Sequence, residues 1–255
     1  MLLTSKYKLV RLKLLSLLHE LEADNCPAIS LYIPPGISKE EITRIPGISS
    51  EVKDLLPDIT RELTQSKTGA VLFWGEQDKY LVLPPFPVTE LSFSNGYSTR
   101  MLCSSLERQF TVALILLRLG AYAVGVFRGQ ELLSSKVGTG LIHSRHRQGG
   151  SSQRRFERGR EKQIEYFFTR VCNHVNERLQ PYLGQLEYIF YGGERYTLLS
   201  FHKQCHFLKK VDYLASTRLL DIRKPGQKAL EMAIDEVWSS RIIQWEEHVL
   251  QDTGE

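Results

Sequence analysis

Residues Thr111–Val137, TVALILLRLGAYAVGVFRGQELLSSKV, contain the pattern that best indicates the architecture of this chain. They hold three strand-like runs joined by short connections that each contain a glycine: Thr111–Leu117, Ala121–Phe127 and Glu131–Val137. β-branched and aromatic residues favour strands, and short connections with glycine are typical of hairpins. A parallel crossover needs a much longer connection, so the pattern predicts an antiparallel meander.

Downstream of the meander, the apolar pattern predicts alternating helices and strands. We expect a long helix from about residue 154 to 180, with a core-facing stripe that begins at Phe156. The further expected elements are a strand at Leu186–Tyr191, a helix near 195–209, a strand at Thr217–Ile222 and a closing helix from 226 to about 249. Strand, helix, strand and helix after a meander predict a mixed sheet covered by helices.

The N-terminal half of the chain shows a different pattern. Residues 28–33 and 69–83 contain strand-like apolar runs, and residues 38–66 are helical in pattern. With 255 residues, 42% hydrophobic and 24% charged, the chain has an ordinary globular composition with room for two domains. We predict an α/β (α+β) fold: a small α+β domain at 1–107, then a mixed-sheet domain at 108–255.

The first 22 residues combine early lysines and arginine with a leucine-rich run that His19, Glu20 and Glu22 interrupt. The run is too short to cross a membrane and no small-residue cleavage site follows it. An amphipathic helix that packs on the first domain is therefore expected, with a transit peptide or membrane-surface helix as the alternatives. We predict a cytoplasmic protein with no membrane partner.

Four cysteines, at positions 26, 103, 172 and 205, are widely spaced and form no C-x-x-C pair. This spacing predicts reduced thiols rather than a disulfide framework. His202, Cys205 and His206 lie close together in sequence, but a structural zinc site usually needs a second pair of ligands, and none is evident. No metal and no cofactor are predicted.

Residues 143–162, HSRHRQGGSSQRRFERGREK, carry a charge excess that a folded core does not explain. They contain seven basic and two acidic side chains, whereas the net charge of the whole chain is only +4. The predicted phosphate-contacting residues are Arg145, His146, Arg147, Arg154, Arg155, Arg158, Arg160 and Lys162. A solvated helix face is the alternative, with Glu157 and Glu161 as pairing partners.

Within this segment, Gly149 and Gly150 allow close backbone approach, and Ser151 and Ser152 can cap the following helix. Gln153 follows as an uncharged donor and acceptor. No Walker-type motif or defensible Ser-His-Asp arrangement is present. Because glutamine does not exchange protons at neutral pH, Gln153 can contribute only by orienting water or a hydroxyl and by donating to an oxyanion.

The segment from Gly149 to Arg160 resembles the Gly-Gly-Gln region of archaeal and eukaryotic class-1 peptide-release factors, where an Arg-Phe-x-Arg-x-Arg helix follows the loop. Arg155, Phe156, Arg158 and Arg160 match that helix. Ser151 stands at the place of the family's glutamine and Gln153 lies two positions later, as in the VMS-like release factors. The chain is identified as a member of the bacterial VMS-like release factor family, and which of Ser151 and Gln153 fills the catalytic place stays open.

The resemblance extends over about residues 25–245 and includes Ile29–Pro35, Ala70–Gly75 and Leu83–Pro87, which are similar to parts of the release-factor N-domain. It implies a ribonuclease-H-like middle domain in the second half, with the catalytic loop at 143–155. The resemblance includes no Asn-Ile-Lys-Ser-type segment and no domain after the middle domain. The resemblance therefore implies a factor that does not read stop codons and lacks the domain that recruits a GTPase.

The implied function is ribosome rescue: cleavage of stalled peptidyl-tRNA in the large ribosomal subunit, with ribosomal RNA as a partner and no DNA. Two reactions stay open, ester hydrolysis and cleavage near the tRNA 3′ end. The alternative function is a non-catalytic ribosome- or RNA-binding module of the same fold. A metal-dependent nuclease is less favoured, because Glu131, Glu187 and Asp221 are scattered rather than clustered at strand ends.

Overall fold

The computed structural model describes residues 2–24, 26–143 and 153–247. Contacts divide the chain into two units, Met1–Arg108 with Trp238–Glu255, and Gln109–Val237. Residues from 238 onward thus lie in the first unit, where a continuation of the second domain was expected. Each unit has its own sheet.

The helices and strands of the first unit lie mostly before residue 108. In chain order they are β1 (Leu2–Leu9), α1 (Arg11–Ala23), β2 (Ala28–Ile33), α2 (Lys39–Thr43), α3 (Ser50–Gln65), β3 (Ala70–Gly75), β4 (Lys79–Leu83), β5 (Ser92–Asn95) and α4 (Arg100–Glu107). The expected N-terminal helix is wrong for residues 2–9, which form a strand.

In the second unit, the elements are β6 (Thr111–Arg118), β7 (Ala121–Arg128), β8 (Glu131–Thr139), α5 (Gln153–Leu179), β9 (Leu186–Gly193), α6 (Arg195–Gln204), α7 (His206–Lys210), β10 (Ala215–Leu220) and α8 (Gln227–Val237). Short 3₁₀ turns lie at Gln180–Tyr182 and Asp212–Leu214. The last described strand, β11 (Ser240–Glu247), returns to the first unit.

The first sheet has the order β1-β11-β4-β3-β2-β5 within the described residues, with every neighbouring pair antiparallel. Helices cover both faces of this sheet. Successive residues of a strand point to opposite faces, so neighbouring residues of β3 contact different helices. Leu72 packs in a cluster with Val52 and Ile59 of α3, whereas Val71 packs in another with Leu14 of α1.

The closing helix expected through residue 249 is wrong beyond Val237. From Ser240 the chain forms β11, which pairs with β1 on one side and β4 on the other. Ile242, Ile243 and Trp245 are all buried. Burial on both faces removes the alternation that normally identifies a strand, and such a run cannot be told from a helix by periodicity.

The second sheet has the order β10-β9-β6-β7-β8 across the described part of the chain. β6, β7 and β8 form the predicted antiparallel meander, and β9 and β10 run parallel to β6. This is the predicted mixed sheet. Helices α5, α6 and α7 pack on one face in a single core cluster, while α8 contacts β6 and β7 and takes no part in that cluster.

Cys172 of α5 and Cys205, between α6 and α7, form a disulfide. The prediction of reduced thiols is therefore wrong for these two, while Cys26 and Cys103 are free. The pairing follows from the side-by-side packing of α5 and α6, which brings together residues 33 positions apart. It also removes Cys205 from the set that had suggested a metal site.

The described residues form neither a membrane-spanning helix nor a cluster of metal ligands. None of their helices is both long enough and apolar enough to span a bilayer. Nor do these residues place three or more His, Cys, Asp or Glu side chains where they could hold a metal ion together.

Candidate functional site

The N-terminal part of α5 extends beyond the core of the second unit. None of residues 154–166 is buried, whereas Phe167, Phe168, Val171, Val175 and Leu179 are at most 2% exposed. A helix rises about 1.5 Å per residue, so the unburied part is about 20 Å long. We call residues 153–166 the α5 projection.

The end of β8 marks where the projection leaves the sheet. The Arg170 guanidinium donates a hydrogen bond to the backbone oxygen of Thr139, the last residue of β8. At Gly140, a Cβ atom would lie only 2.5 Å from the ring of Phe167. Residues 139 and 140 therefore lie against residues 167–170 of α5, and Gln153 begins the helix about 20–25 Å farther out.

The chain leaving β8 is also held against the middle of the projection. The backbone N–H of His143 donates to Oε1 of Gln163 at 3.1 Å, and Nε of Arg160 donates to the backbone oxygen of His143 at 3.0 Å. These two bonds hold the backbone of His143 beside Arg160 and Gln163 of the projection. Sequence reasoning missed Gln163 and Arg170, because neither is distinguished by charge pattern or motif.

Seven of the predicted RNA-binding and catalytic residues lie outside the described residues. This is the case for Arg145, His146, Arg147, Gly149, Gly150, Ser151 and Ser152. Gln153 is the first residue of α5, and its side chain is not described. The roles assigned to these residues therefore stay predictions.

The predicted basic residues of the helix are described. Arg154, Arg155, Arg158 and Lys162 are exposed and make no ion pair with another described residue. Arg154, Arg158 and Lys162 follow an i, i+4, i+8 spacing and so share one side of the helix. Arg160 differs, since it is half-buried and binds the His143 backbone. The projection thus presents cations to solvent on one side and is braced on another.

The expected anchoring of the loop end by Phe156 stays a prediction, but the expectation that Phe156 belongs to the core stripe is wrong. Its side chain is 57% exposed. The apolar spacing does continue from Phe167 back towards Phe156, but none of residues 154–166 is buried, so this part of the stripe lies outside the core of the second unit. An exposed aromatic ring beside Arg155 is instead part of the solvent-facing surface of the projection.

Known proteins resemble this chain at both the sequence and the structural level. The peptide chain release factor subunit 1 of Aeropyrum pernix is 24% identical over 252 residues, covering 87% of this chain and 68% of its own length. The protein of the same name from Picrophilus torridus is 28% identical over 230 residues, covering 79% and 54%. The chain thus spans between half and about two thirds of the length of these two relatives.

Among solved structures, the archaeal translation termination factor aRF1 matches 90% of this chain and 73% of its own, with 20% identity and a TM-score of 0.41. The Vms1 mitochondrial localization core matches 79% and 87%, with 13% identity and a TM-score of 0.43.

The second unit is the part of the chain that a family model recognises. A model described as Actinobacteria/chloroflexi VLRF1 release factor matches residues 110–243, from the meander that begins the second sheet to the middle of β11. This range contains the whole α5 projection and covers more than half of the chain. The membership inferred from the Gly149–Arg160 segment is therefore confirmed: the chain belongs to the Actinobacteria/chloroflexi VLRF1 release factor family.

Proposed function

We propose that this chain, a translation termination or rescue factor by its family, cleaves peptidyl-tRNA in the large ribosomal subunit without reading a codon. The observation that carries the proposal is the α5 projection. It begins at Gln153 about 20–25 Å beyond the sheet and exposes, along one side, cations that form no ion pair with another described residue. A narrow basic projection of this length can enter a reaction centre built of RNA while the folded unit stays outside.

The chemistry that we propose at the tip is positional. The ester of peptidyl-tRNA is already activated, so the factor needs only to admit and aim the attacking group. In the hydrolytic reaction, water adds to the peptide carbonyl carbon, the bond to the tRNA 3′ oxygen breaks, and that oxygen takes a proton. Gln153 would orient the water and donate to the developing oxyanion, and Gly149, Gly150, Ser151 and Ser152 would let the backbone approach.

A second reaction leads to a different RNA product. If the loop instead aims a ribose 2′-hydroxyl of the tRNA at the neighbouring phosphate, the 2′ oxygen bonds to phosphorus, the bond from phosphorus to the 5′ oxygen of the next nucleotide breaks, and that oxygen takes the proton. The tRNA then ends in a 2′,3′-cyclic phosphate, and the peptide leaves with the 3′-terminal nucleotides. The placement of Gln153 two residues after the usual glutamine position favours this reaction. The two reactions differ in the length of the tRNA, which is directly measurable.

The basic residues around the tip would contact the phosphate backbone. Arg154, Arg155, Arg158 and Lys162 are exposed and free of ion pairs among the described residues, which suits phosphate contact. We assign the same role to Arg145, His146 and Arg147 on charge alone. Arg160 would act mainly by bracing His143, since its Nε is already engaged. We place this activity in the cytoplasm, where translating ribosomes are found.

The decisive experiment separates cleavage from binding. Large ribosomal subunits that carry radiolabelled peptidyl-tRNA are incubated with the protein, with Gln153→Ala, or with Gln65→Ala as a matched control from the exposed end of α3. Both the peptide and the tRNA 3′ end are resolved on gels. We expect cleavage by the wild type and by Gln65→Ala, and none by Gln153→Ala, which should still bind.

Each product pattern has one meaning. Released peptide with a full-length tRNA indicates ester hydrolysis. Released peptide with a shortened tRNA indicates cleavage of the tRNA. Binding without either product would contradict the proposal and assign the chain to the non-catalytic binding modules. Equal loss of binding in Gln153→Ala and in a triple Arg154, Arg155 and Arg158 variant would contradict the division between a catalytic tip and a binding helix.

A further inference from the structure

A second basic surface lies on the same face of the second sheet as α5. It is formed by α6, α7 and the 3₁₀ turn that follows, and we call it the α6–α7 surface. The side chains that define it are Arg195, Tyr196, Lys203, Lys209, Lys210 and Tyr213, all of them exposed. The two tyrosines are 78% and 82% exposed.

The described residues of the unit do not neutralise the charge of this surface. Residues 195–214 contain four basic side chains and one acidic side chain, Asp212. Oδ1 of Asp212 lies 3.1 Å from Nε2 of His202. None of the four cations makes an ion pair with another described residue. By contrast, residues 39–65 of the first unit carry four basic and six acidic side chains.

The spacing on α6 gathers the exposed groups on one side. Arg195, Leu199 and Lys203 follow an i, i+4, i+8 pattern, and with Tyr196 they occupy an arc of about 100°. Leu198 and Phe201 point the other way, into the core. Tyrosine rings and hydroxyls can stack on bases or donate to phosphates, so cations interleaved with exposed tyrosines suit RNA better than they suit an acidic peptide.

The α6–α7 surface begins at the same edge of the sheet from which the α5 projection leaves. β8 and β9 are both parallel to β6 in direction, because β8 is antiparallel to β7 and β7 to β6. Helices α5 and α6 each follow one of these strands and therefore both start at its carboxyl edge. The Cys172–Cys205 disulfide links the two helices directly.

We propose that the α6–α7 surface binds the RNA backbone of the large ribosomal subunit and so aligns the α5 projection with the reaction centre. This inference rests on the proposed function. Once the projection is inserted to its full length, the sheet edge at its base meets the walls of the entrance, which are RNA. Arg195 and Tyr196 lie at that edge, and Lys203, Lys209 and Lys210 extend the contact along the outer layer.

The test removes three cations that make no ion pair within the described part of the chain. A triple variant, Lys203→Gln, Lys209→Gln and Lys210→Gln, is compared with Lys39→Gln, Lys53→Gln and Lys67→Gln, which removes the same charge from exposed positions of the first unit. Binding of each protein to purified large subunits is measured from about 50 to 200 mM salt. Circular dichroism spectra that match the wild type show that both variants are folded.

We expect the α6–α7 variant to bind about tenfold or more weakly near 0.1 M salt and to lower the salt slope of log affinity by about 2–3. The control triple should change neither. An unchanged α6–α7 variant, or equal losses in both triples, would overturn the inference. Loss of binding to free deacylated tRNA without loss of subunit binding would also overturn it, since the partner would then be tRNA.

The cleavage assay keeps this inference separate from the proposed function. If Gln153→Ala abolishes cleavage while the α6–α7 variant binds normally, only the inference fails. If the wild type binds subunits through this surface but yields no product, the proposed cleavage fails and the surface stands.

Discussion

Replacing Trp238 with alanine should destabilise the first unit severely, although this residue lies near the C-terminal end of the described chain. Trp238 is fully buried and lies two residues before the start of β11. Its ring meets the ring of Phe86 edge-on at 4.7 Å between centroids, and the Arg11 guanidinium carbon lies 4.6 Å from its centre. All three residues belong to the first unit.

The size of the effect follows from these contacts. Truncating a buried tryptophan to alanine costs about 3–5 kcal/mol through lost burial and the cavity left behind. The loss should lie in the upper part of that range, because Phe86 also loses an aromatic partner and Arg11 a cation–π partner. A domain has a total stability of about 5–15 kcal/mol, so the variant should be close to unfolding in this unit.

Urea titration monitored by circular dichroism measures the loss, and hydrogen exchange locates it. Amides of β3 and β4 in the first sheet should lose protection, whereas those of β6 and β7 in the second sheet should keep it. Leu12→Ala, at a position 73% exposed, is the control and should change stability by no more than about 0.5 kcal/mol. A loss below about 1 kcal/mol, or loss of protection confined to the second sheet, would refute the placement of Trp238 in the first unit.

Three further predictions concern covalent, ionisable and backbone features. Reduction of Cys172–Cys205, or Cys205→Ser, should lower stability by about 3–4 kcal/mol because the bond closes a loop of 33 residues; equal urea midpoints with and without reductant would contradict this. The hydrogen bond to Asp24 and its negative charge raise the pKa of the exposed Cys26 thiol, so Asp24→Asn should lower that pKa and shift the pH profile of iodoacetamide alkylation to lower pH; an unchanged profile would count against it. Gly159→Ala, with open space around its Cβ, should stabilise α5 by about 0.5–1 kcal/mol. Gly193→Ala should instead destabilise by about 1–3 kcal/mol, because φ is 119° and its Cβ would collide with the Leu117 backbone oxygen; similar thermal midpoints for these two variants would disprove the distinction.

Local pattern was sufficient for much of the second unit. The three runs between Thr111 and Val137 formed the predicted meander, and the long helix began one residue from its predicted start. These elements depend on neighbouring residues: short connections force adjacent strands to pair, and a repeat of three to four residues forms a helix wherever it meets a core. The basic run of 154–162 was also visible in the sequence, because its charge excess is local.

The α6–α7 surface was not predicted from the sequence, because the net charge of the whole chain does not reveal it. Residues 195–228 carry eight basic and two acidic side chains, and acidic residues elsewhere in the chain offset them. Only the fold shows that Arg195, Lys203 and Lys209 are exposed on one outer layer beside α5.

The sequence by itself determined the order of strands and helices in the second unit, the position of the basic run at residues 154–162 and the family. Tertiary structure alone decided three other features: β11 between β1 and β4, the Cys172–Cys205 bond, and the exposure of Phe156. Each of these depends on what a segment meets in space. Leu2 pairs with Glu247 across almost the whole chain, two cysteines meet because α5 packs beside α6, and Phe156 lies on a stretch of helix outside the core of the second unit. Periodicity reports which face of an element is apolar, and it carries no information about whether a partner is there to cover that face.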